Sequence, residues 1–216
     1  IDSAQEASMQ NKNKPLLLRP SGKDYLWGGT RLKTDYGFET DKDIAAEGWM
    51  LSCHKDGMNI ILNGEYSGKT LNEVLELWGN KALGKKAESF SYFPLLIKLI
   101  DAKQKLSIQV HPDDEYAMRV EGEYGKTEMW YVIDAEEGAG LYVGFKEDET
   151  IENVKDYLNK GTILEHLNFF KVKKGDCFFI KSGTIHAIGK GVSVIEIQQN
   201  SNLTYRLYDY NRVGAD

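Results

Sequence analysis

The sequence predicts a mainly β fold, either a sandwich or a double-sheet jelly roll, with a small helical insertion. After Pro94 the chain consists of short runs rich in β-branched and aromatic residues, separated by turn residues, which is typical of antiparallel sheets. Strands and helices do not alternate regularly, and this argues against a parallel α/β sheet.

The predicted strands are short, and most of them follow Pro94. They cover residues 47–52, 57–62, 95–100, 106–110, 128–133, 141–145, 167–172, 176–180, 192–199 and 204–210. Tyr25 to Thr30 reads as a turn with an aromatic anchor at Trp27.

Two helices interrupt the strands. Thr70 followed three residues later by Glu73 forms a capping box, and an apolar stripe follows it, so we expect a helical insertion over about 70–88. A second helix is predicted from Ile151, because apolar residues recur at helical spacing until Gly161 stops the pattern.

Composition and charge restrict the possible partners. The chain has 216 residues and a net charge of −6, which argues against nucleic acid, whereas an anionic small molecule needs only a local group of cations. No apolar run approaches the ~20 residues of a membrane span. We therefore expect neither nucleic acid nor membrane as a partner. Residues 15–216 are expected to form one domain, and residues 1–14 a disordered tail or a remnant of an expression vector.

The cysteines indicate a reducing compartment. Cys53 and Cys177 are far apart in the sequence and have no neighbouring cysteine, so a cytoplasmic protein is expected. Cys177 lies in an apolar run and is predicted to be a small buried residue.

Four side chains suggest a metal site. Gln109 and His111 are two residues apart in a predicted strand and therefore point to the same face. Glu128 and His186 lie at the ends of other predicted strands, so the four could converge inside the fold. Imidazole, amide and carboxylate groups together suit a transition metal such as zinc. The alternative is that Gln109 and Glu128 are strand polar residues that face solvent.

Three cations could add an anion site beside the metal. Lys126 is two residues before Glu128, and Lys98 lies in an otherwise apolar run, where burial is costly unless the amine is paired or faces a cleft. Arg206 lies among aromatic residues and can donate two parallel hydrogen bonds to a phosphate. The alternatives are an amine at the barrel rim for Lys98 and an edge-strand salt bridge for Arg206. Ser107 has no neighbouring base, so a phosphate hydrogen bond is more plausible for it than a nucleophile role.

The motifs resemble those of one known family. The matching segments are Tyr25-Leu26-Trp27-Gly28, Phe93-Pro94-Leu95-Leu96-Ile97-Lys98, Leu106-Ser107-Ile108-Gln109-Val110-His111-Pro112, Gly125-Lys126-Thr127-Glu128-Met129-Trp130-Tyr131 and Gly183-Thr184-Ile185-His186-Ala187-Ile188-Gly189. They resemble type I phosphomannose isomerases of the shorter bacterial form, within the cupin superfamily. The resemblance runs from about Pro15 to the end and implies a cupin-type double-sheet jelly roll.

The resemblance also implies a reaction and a set of site residues. Members interconvert mannose 6-phosphate and fructose 6-phosphate through a cis-enediol, with one Zn²⁺ per chain. The implied zinc ligands are Gln109, His111, Glu128 and His186. The implied substrate contacts are Trp27, Lys98, Ser107, Lys126 and Arg206, with Arg206 beside the reacting carbons. Lys126 is the candidate proton carrier, because an adjacent dication disfavours the protonated amine.

Two alternatives stay open. The family continues into a second, smaller β lobe, whereas this sequence stops at Asp216; a sugar-phosphate-binding or regulatory cupin with little or no turnover is therefore the second candidate. An iron cupin oxygenase is the third, although such sites are usually richer in histidine. Neither the oligomeric state nor the general base can be read from the sequence.

Overall fold

The mainly β prediction is confirmed by the computed structural model, which describes residues 15–79, 83–87, 90 and 92–212. The strands are β1 (Leu18–Arg19), β2 (Ser21–Lys23), β3 (Glu47–Leu51), β4 (Ile60–Ile61), β5 (Leu95–Ala102), β6 (Ile108–Val110), β7 (Glu128–Ala135), β8 (Gly140–Phe145), β9 (Leu167–Lys171), β10 (Cys177–Ile180), β11 (His186–Ile188), β12 (Val192–Gln199) and β13 (Tyr205–Tyr208). The α-helices are α1 (Arg31–Thr34), α2 (Leu71–Trp78), α3 (Asp114–Val120) and α4 (Ile151–Lys160). Short 3-10 helices cover Gly64–Tyr66, Lys85–Ala87 and Ile163–His166.

Two large antiparallel sheets form the body of the fold. The six-stranded sheet has the order β10-β7-β12-β5-β3-β2, and the five-stranded sheet has the order β13-β6-β11-β8-β9. Trp130 and Val194 of the first sheet pack in one buried core with Leu141 and Ile188 of the second. The sheets therefore lie face to face, as a double-sheet jelly roll requires.

Burial alternates along the central strands, and this sets which side chains face the interior. In β5, Leu96 and Ile100 are almost completely buried, and Lys98 between them is only 3% exposed. Leu95, on the opposite face, is 40% exposed. The period of two along the strand thus points Lys98 into the space between the sheets.

The predicted helix ends are confirmed. Thr70 and Glu73 form the reciprocal capping box of α2, and α4 ends at Gly161, whose left-handed conformation satisfies the last turn. In the predicted insertion, α2 and the turn at Lys85–Ala87 are described, whereas residues 80–82 and 88 are outside the described residues. The predicted tail, residues 1–14, is also outside them.

The expectation for Cys177 was wrong, because its side chain is exposed. Cys177 lies opposite Tyr131 on the outer face of the edge strand β10, while the next residue, Phe178, packs against the core. The run Cys-Phe-Phe-Ile is apolar on both faces, so its alternation could not be read from the sequence. Within the part of the chain that the structure describes, no helix has the length and apolarity of a membrane span.

Candidate metal centre and adjoining cavity

The four predicted metal ligands meet between the two sheets. Gln109 lies in β6 and is directly opposite His186, the first residue of β11, in the five-stranded sheet. His111 follows β6, and Glu128 opens β7 in the six-stranded sheet. We call these four residues the acceptor cluster.

The atoms of the acceptor cluster are close together and shielded from solvent. His111 Nε2 lies 3.2 Å from His186 Nε2 and 3.4 Å from Glu128 Oε2. His186 Nε2 lies 3.3 Å from Glu128 Oε1 and 3.4 Å from the amide nitrogen of Gln109. The two histidines and Glu128 are each at most 1% exposed, and they form a group that could hold a metal ion.

The tautomer of His186 is set by a backbone carbonyl. Its Nδ1 lies 2.8 Å from the oxygen of Thr184, which can only accept, so Nδ1 carries the proton and Nε2 presents a lone pair to the cluster. The same turn donates the N–H of Gly183 to the carbonyl of His111. One turn therefore positions both histidine rings.

The protonation states leave the cluster rich in lone pairs. Burial lowers the pKa of His111, and the neighbouring charge of Lys126 lowers it further, so its ring is neutral. Burial alone would raise the pKa of Glu128, but its polar surroundings, with the charge of Lys126 as the largest opposing cause, lower that pKa, so the carboxylate is ionised. These are the states in which histidine and glutamate bind metals.

The residues fit a metal ion. Neither oxygen of Glu128 has a hydrogen-bond donor among the described residues, although both are buried; such orphaned acceptors are costly. Tetrahedral zinc with bonds of about 2.0–2.1 Å places its ligand atoms roughly 3.3 Å apart. The separations of 3.2–3.4 Å between the histidine nitrogens and the Glu128 oxygens agree with that spacing.

A cavity of about 250 Å³ adjoins the cluster, and Gln109 lies in its wall. Each predicted substrate residue also lines this cavity. They are Trp27, Lys98, Ser107, Lys126 and Arg206. The structure thus brings together residues from separate predicted strands and from the Trp27 turn.

Lys98 is buried and paired, so the alternative of an amine at the rim was wrong. Its Nζ lies 3.2 Å from Glu196 and 3.5 Å from Glu47. Each carboxylate also accepts an indole N–H, Glu47 from Trp49 at 2.7 Å and Glu196 from Trp130 at 3.1 Å. We call these five residues the Lys98 cluster.

The Lys98 cluster holds a charged amine inside the fold. Burial would lower the pKa of Lys98, but Glu47 and Glu196 outweigh it and raise that pKa above its ordinary value. The ammonium also lies 5.0 Å from the ring centre of Trp49, a cation–π contact that adds to the pairing.

Lys126 faces the same side of the chain as Glu128, as its spacing predicted. It is 4% exposed, and its Nζ lies 3.4 Å from Glu128 Oε2. The backbone approaches closely here, because Lys126 donates its N–H to Pro112 at 3.0 Å. A Cβ at the preceding Gly125 would lie 2.4 Å from the backbone of Asp113, so only glycine fits there.

Arg206 and Ser107 lie on either side of Gln109. Arg206 is exposed on the edge strand β13 and pairs in register with Gln109. Its guanidinium has no ion pair with any residue that the structure describes, so the salt bridge considered as an alternative is not observed. Ser107 is 5% exposed, and its Oγ lies 3.3 Å from Gln109 Oε1.

The sequence reasoning missed four charged residues of the cavity wall, Glu47, Glu196, Asp209 and Arg212. A signal existed for Glu196, which stands in an apolar strand just as Lys98 does. Arg212 gave no such signal, because it lies in the turn after β13, where it is paired with Asp209 and donates to the carbonyl of Lys105 at 2.8 Å.

Comparison with known proteins agrees with this architecture. Residues 16–139 match the family model of the catalytic domain of phosphomannose isomerase type I. Mannose-6-phosphate isomerase of Streptococcus mutans is 42% identical over 203 residues, which cover 92% of this chain and 62% of that protein. Mannose-6-phosphate isomerase ManA of Bacillus subtilis is 44% identical over 204 residues, covering 94% and 63%.

The fold is similar to that of a solved relative as well. The crystal structure of mannose 6-phosphate isomerase from Bacillus subtilis aligns with a TM-score of 0.87 at 41% identity, over 94% of this chain and 64% of that one. The chain spans less than two thirds of the length of these relatives. The match over more than half of its residues shows that the chain belongs to the type I phosphomannose isomerase family, in its catalytic domain.

Proposed function

We propose that this chain interconverts mannose 6-phosphate and fructose 6-phosphate through a cis-enediol, with one bound zinc ion. The observation that carries the proposal is the acceptor cluster, whose orphaned Glu128 oxygens adjoin, through Gln109, a cavity with Lys126 and Arg206 in its wall. The substrate is taken from the matched relatives, which bear the name mannose-6-phosphate isomerase.

The proposed zinc ligands are Gln109, His111, Glu128 and His186. Two imidazole nitrogens, a carboxylate and an amide oxygen suit zinc better than magnesium or calcium, which prefer oxygen ligands alone. When bound, the ion would act as a Lewis acid for the oxyanion charge that develops at the C1 and C2 oxygens of the sugar.

The remaining side chains would bind and orient the sugar. We assign Trp27, Lys98 and Ser107 to substrate contacts. Because Lys98 is already neutralised by Glu47 and Glu196, it would act as a hydrogen-bond donor and add little net attraction. Arg206 has no such partner among the described residues, and its register with Gln109 favours a place beside the reacting carbons.

Isomerisation needs one proton to move from C2 to C1. A base takes the proton from C2 of the aldose while the C1 oxygen gains a proton, which gives the enediol. The C2 hydroxyl then loses its proton, and the same base returns the first proton to C1. We assign this role to Lys126, whose Nζ lies beside Glu128 on the cavity wall. The positive charge of a neighbouring dication would favour the neutral amine that can accept the proton.

We place the reaction in the cytoplasm, where both free cysteines would stay reduced. A phosphorylated hexose is the partner that we propose, since basic side chains of the cavity wall can attract its phosphate. The second candidate is a sugar-phosphate-binding protein that uses the same cavity without turnover.

The deciding experiment is an isomerase assay on purified protein before and after chelation. We expect turnover of mannose 6-phosphate that is lost with the metal and restored by zinc. Equal activity in the chelated protein would refute the metal mechanism. Zinc and sugar-phosphate binding without turnover would establish the second candidate instead, and iron with oxygen consumption would revive an oxygenase.

One variant distinguishes a role in turnover of the substrate from a role in metal binding. Arg206→Ala should keep the zinc content and lower turnover by at least about 100-fold, the scale of one lost transition-state donor. Arg119→Ala is the matched control, since Arg119 is an exposed arginine of α3 that does not line the cavity. Full activity in Arg206→Ala would remove Arg206 from the mechanism.

A further inference from the structure

Gln109 differs from the other members of the acceptor cluster, because its amide has two unlike ends. Only the oxygen can bind a metal, while the NH₂ group can only donate. In the structure the amide nitrogen lies 3.4 Å from His186 Nε2, and the amide oxygen lies 3.3 Å from the hydroxyl of Ser107.

This orientation follows from the partners on the two sides. His186 Nε2 presents a lone pair, because its Nδ1 proton is held by the carbonyl of Thr184. The lone pair attracts the NH₂ end, and the hydroxyl of Ser107 donates to the oxygen end. A cation in the cluster reverses the requirement, since the oxygen must then face inward and the NH₂ group must face Ser107.

A hydroxyl is one of the few side-chain groups that satisfies both orientations. It donates to the amide oxygen in one and accepts from the NH₂ group in the other, simply by rotating its proton. Ser107 is 5% exposed, so water has little access to replace it, and a buried amide left without a partner is costly.

We infer that Ser107 is a positioning residue for Gln109: its hydroxyl pairs with the NH₂ group when the amide turns its oxygen toward the metal. The inference rests on the proposed metal site and adds to the substrate contact assigned to Ser107. Residues that hydrogen-bond to metal ligands orient them, and their loss typically weakens metal binding by about 10–100-fold.

The test measures zinc affinity without substrate, by competition with a chromophoric chelator. Ser107→Ala should bind zinc about 10–100-fold more weakly than the wild type, and Ser107→Thr, which keeps the hydroxyl, should recover most of the affinity. Ser193→Ala is the matched control, because Ser193 is also a buried serine, and its hydroxyl donates to Asp101, which is not part of the acceptor cluster. Should Ser107→Ala not fold, Ser107→Cys is expected to show a smaller drop in the same direction.

A double-mutant cycle distinguishes positioning from a general structural effect. In a Gln109→Ala background, Ser107→Ala should cause no further loss of zinc affinity. An equal loss in both backgrounds, or unchanged zinc affinity in Ser107→Ala with only a raised KM, would overturn the inference and leave the metal site standing. A wild-type protein that does not bind zinc would overturn the proposed metal site and the inference together.

Discussion

The Lys98 cluster and the acceptor cluster are two buried polar groups beside one cavity, yet they are built on opposite principles. In the Lys98 cluster, the ammonium lies between two carboxylates, and each carboxylate also accepts an indole N–H. In the acceptor cluster, neither oxygen of the buried Glu128 accepts a hydrogen bond among the described residues, and Lys126 lies 3.4 Å from only one of them.

The difference separates a cluster that supports the fold from one that is made for a ligand. A buried charge pair is strongly destabilised when one member is removed, because the remaining charge is left uncompensated. Buried acceptors without donors are unfavourable until a cation joins them. Substitutions in the Lys98 cluster should therefore lower the stability of the metal-free protein. Substitutions in the acceptor cluster should instead lower the stability that the protein gains when it binds metal.

The largest expected effect is on the Lys98 cluster. Lys98→Met should lower the free energy of unfolding of the metal-free protein by about 3–5 kcal/mol, because two buried carboxylates lose their cation. Urea denaturation measures the change. Lys160→Met is the control, since Lys160 forms an exposed pair with Asp156 and should change stability by less than about 0.5 kcal/mol. Equal losses of unfolding free energy in the two variants would show that the Lys98 cluster does not stabilise the fold.

The second largest effect on stability is expected in the acceptor cluster, and it should appear only when metal is present. Gln109→Met should leave the metal-free stability within about 1 kcal/mol of the wild type, since no buried charge loses a partner. At a zinc concentration of about 100 times the wild-type Kd, the wild type should gain about 2.7 kcal/mol. A tenfold weaker variant gains about 1.4 kcal/mol less. Melting curves with and without zinc measure both, with Gln104→Met on the exposed surface as the control.

A smaller effect on stability is expected in the turn before His186, which is hydrogen-bonded to His111 through Gly183. Gly183 has a φ of +82° and open space around it, so Gly183→Ala costs about 1–2 kcal/mol of backbone strain. Gly175→Ala is matched, with a φ of +96° and equally open space. Both variants should lose similar stability, but only Gly183→Ala should weaken zinc binding. Similar zinc affinity in the two variants would show that the turn does not position the rings.

The smallest effect on stability is expected at the cysteines, which lie outside both clusters and serve as a reference for them. Cys177→Ser should change stability by less than about 0.5 kcal/mol, because the side chain is exposed. Burial raises the pKa of Cys53 to about 12, so its reactive thiolate is scarce at neutral pH. Mass spectrometry after iodoacetamide treatment should find one adduct, on Cys177, in the native protein. Modification of Cys53 at the same rate would contradict the buried environment.

The period of two residues along the strands predicted which side chains face the interior of the fold, and with them part of the candidate site. A spacing of two residues was enough to place Gln109 and His111 together, and an apolar run with one cation marked Lys98. Its partners Glu47 and Glu196 lie on β3 and β12, and strand pairing over such separations cannot be read from local sequence. The predicted strand 204–210 ends at Tyr208, because Tyr210 and Asn211 adopt left-handed backbone conformations.

The position of the acceptor cluster across the two sheets has a consequence for kinetics. Glu128 belongs to one sheet and Gln109 and His186 to the other, and the last two are 77 residues apart in sequence. Contacts of such long range form late, after the sheets have docked. A bound cation would therefore slow unfolding. The unfolding rate would decrease as the metal concentration increases, while the refolding rate would stay unchanged.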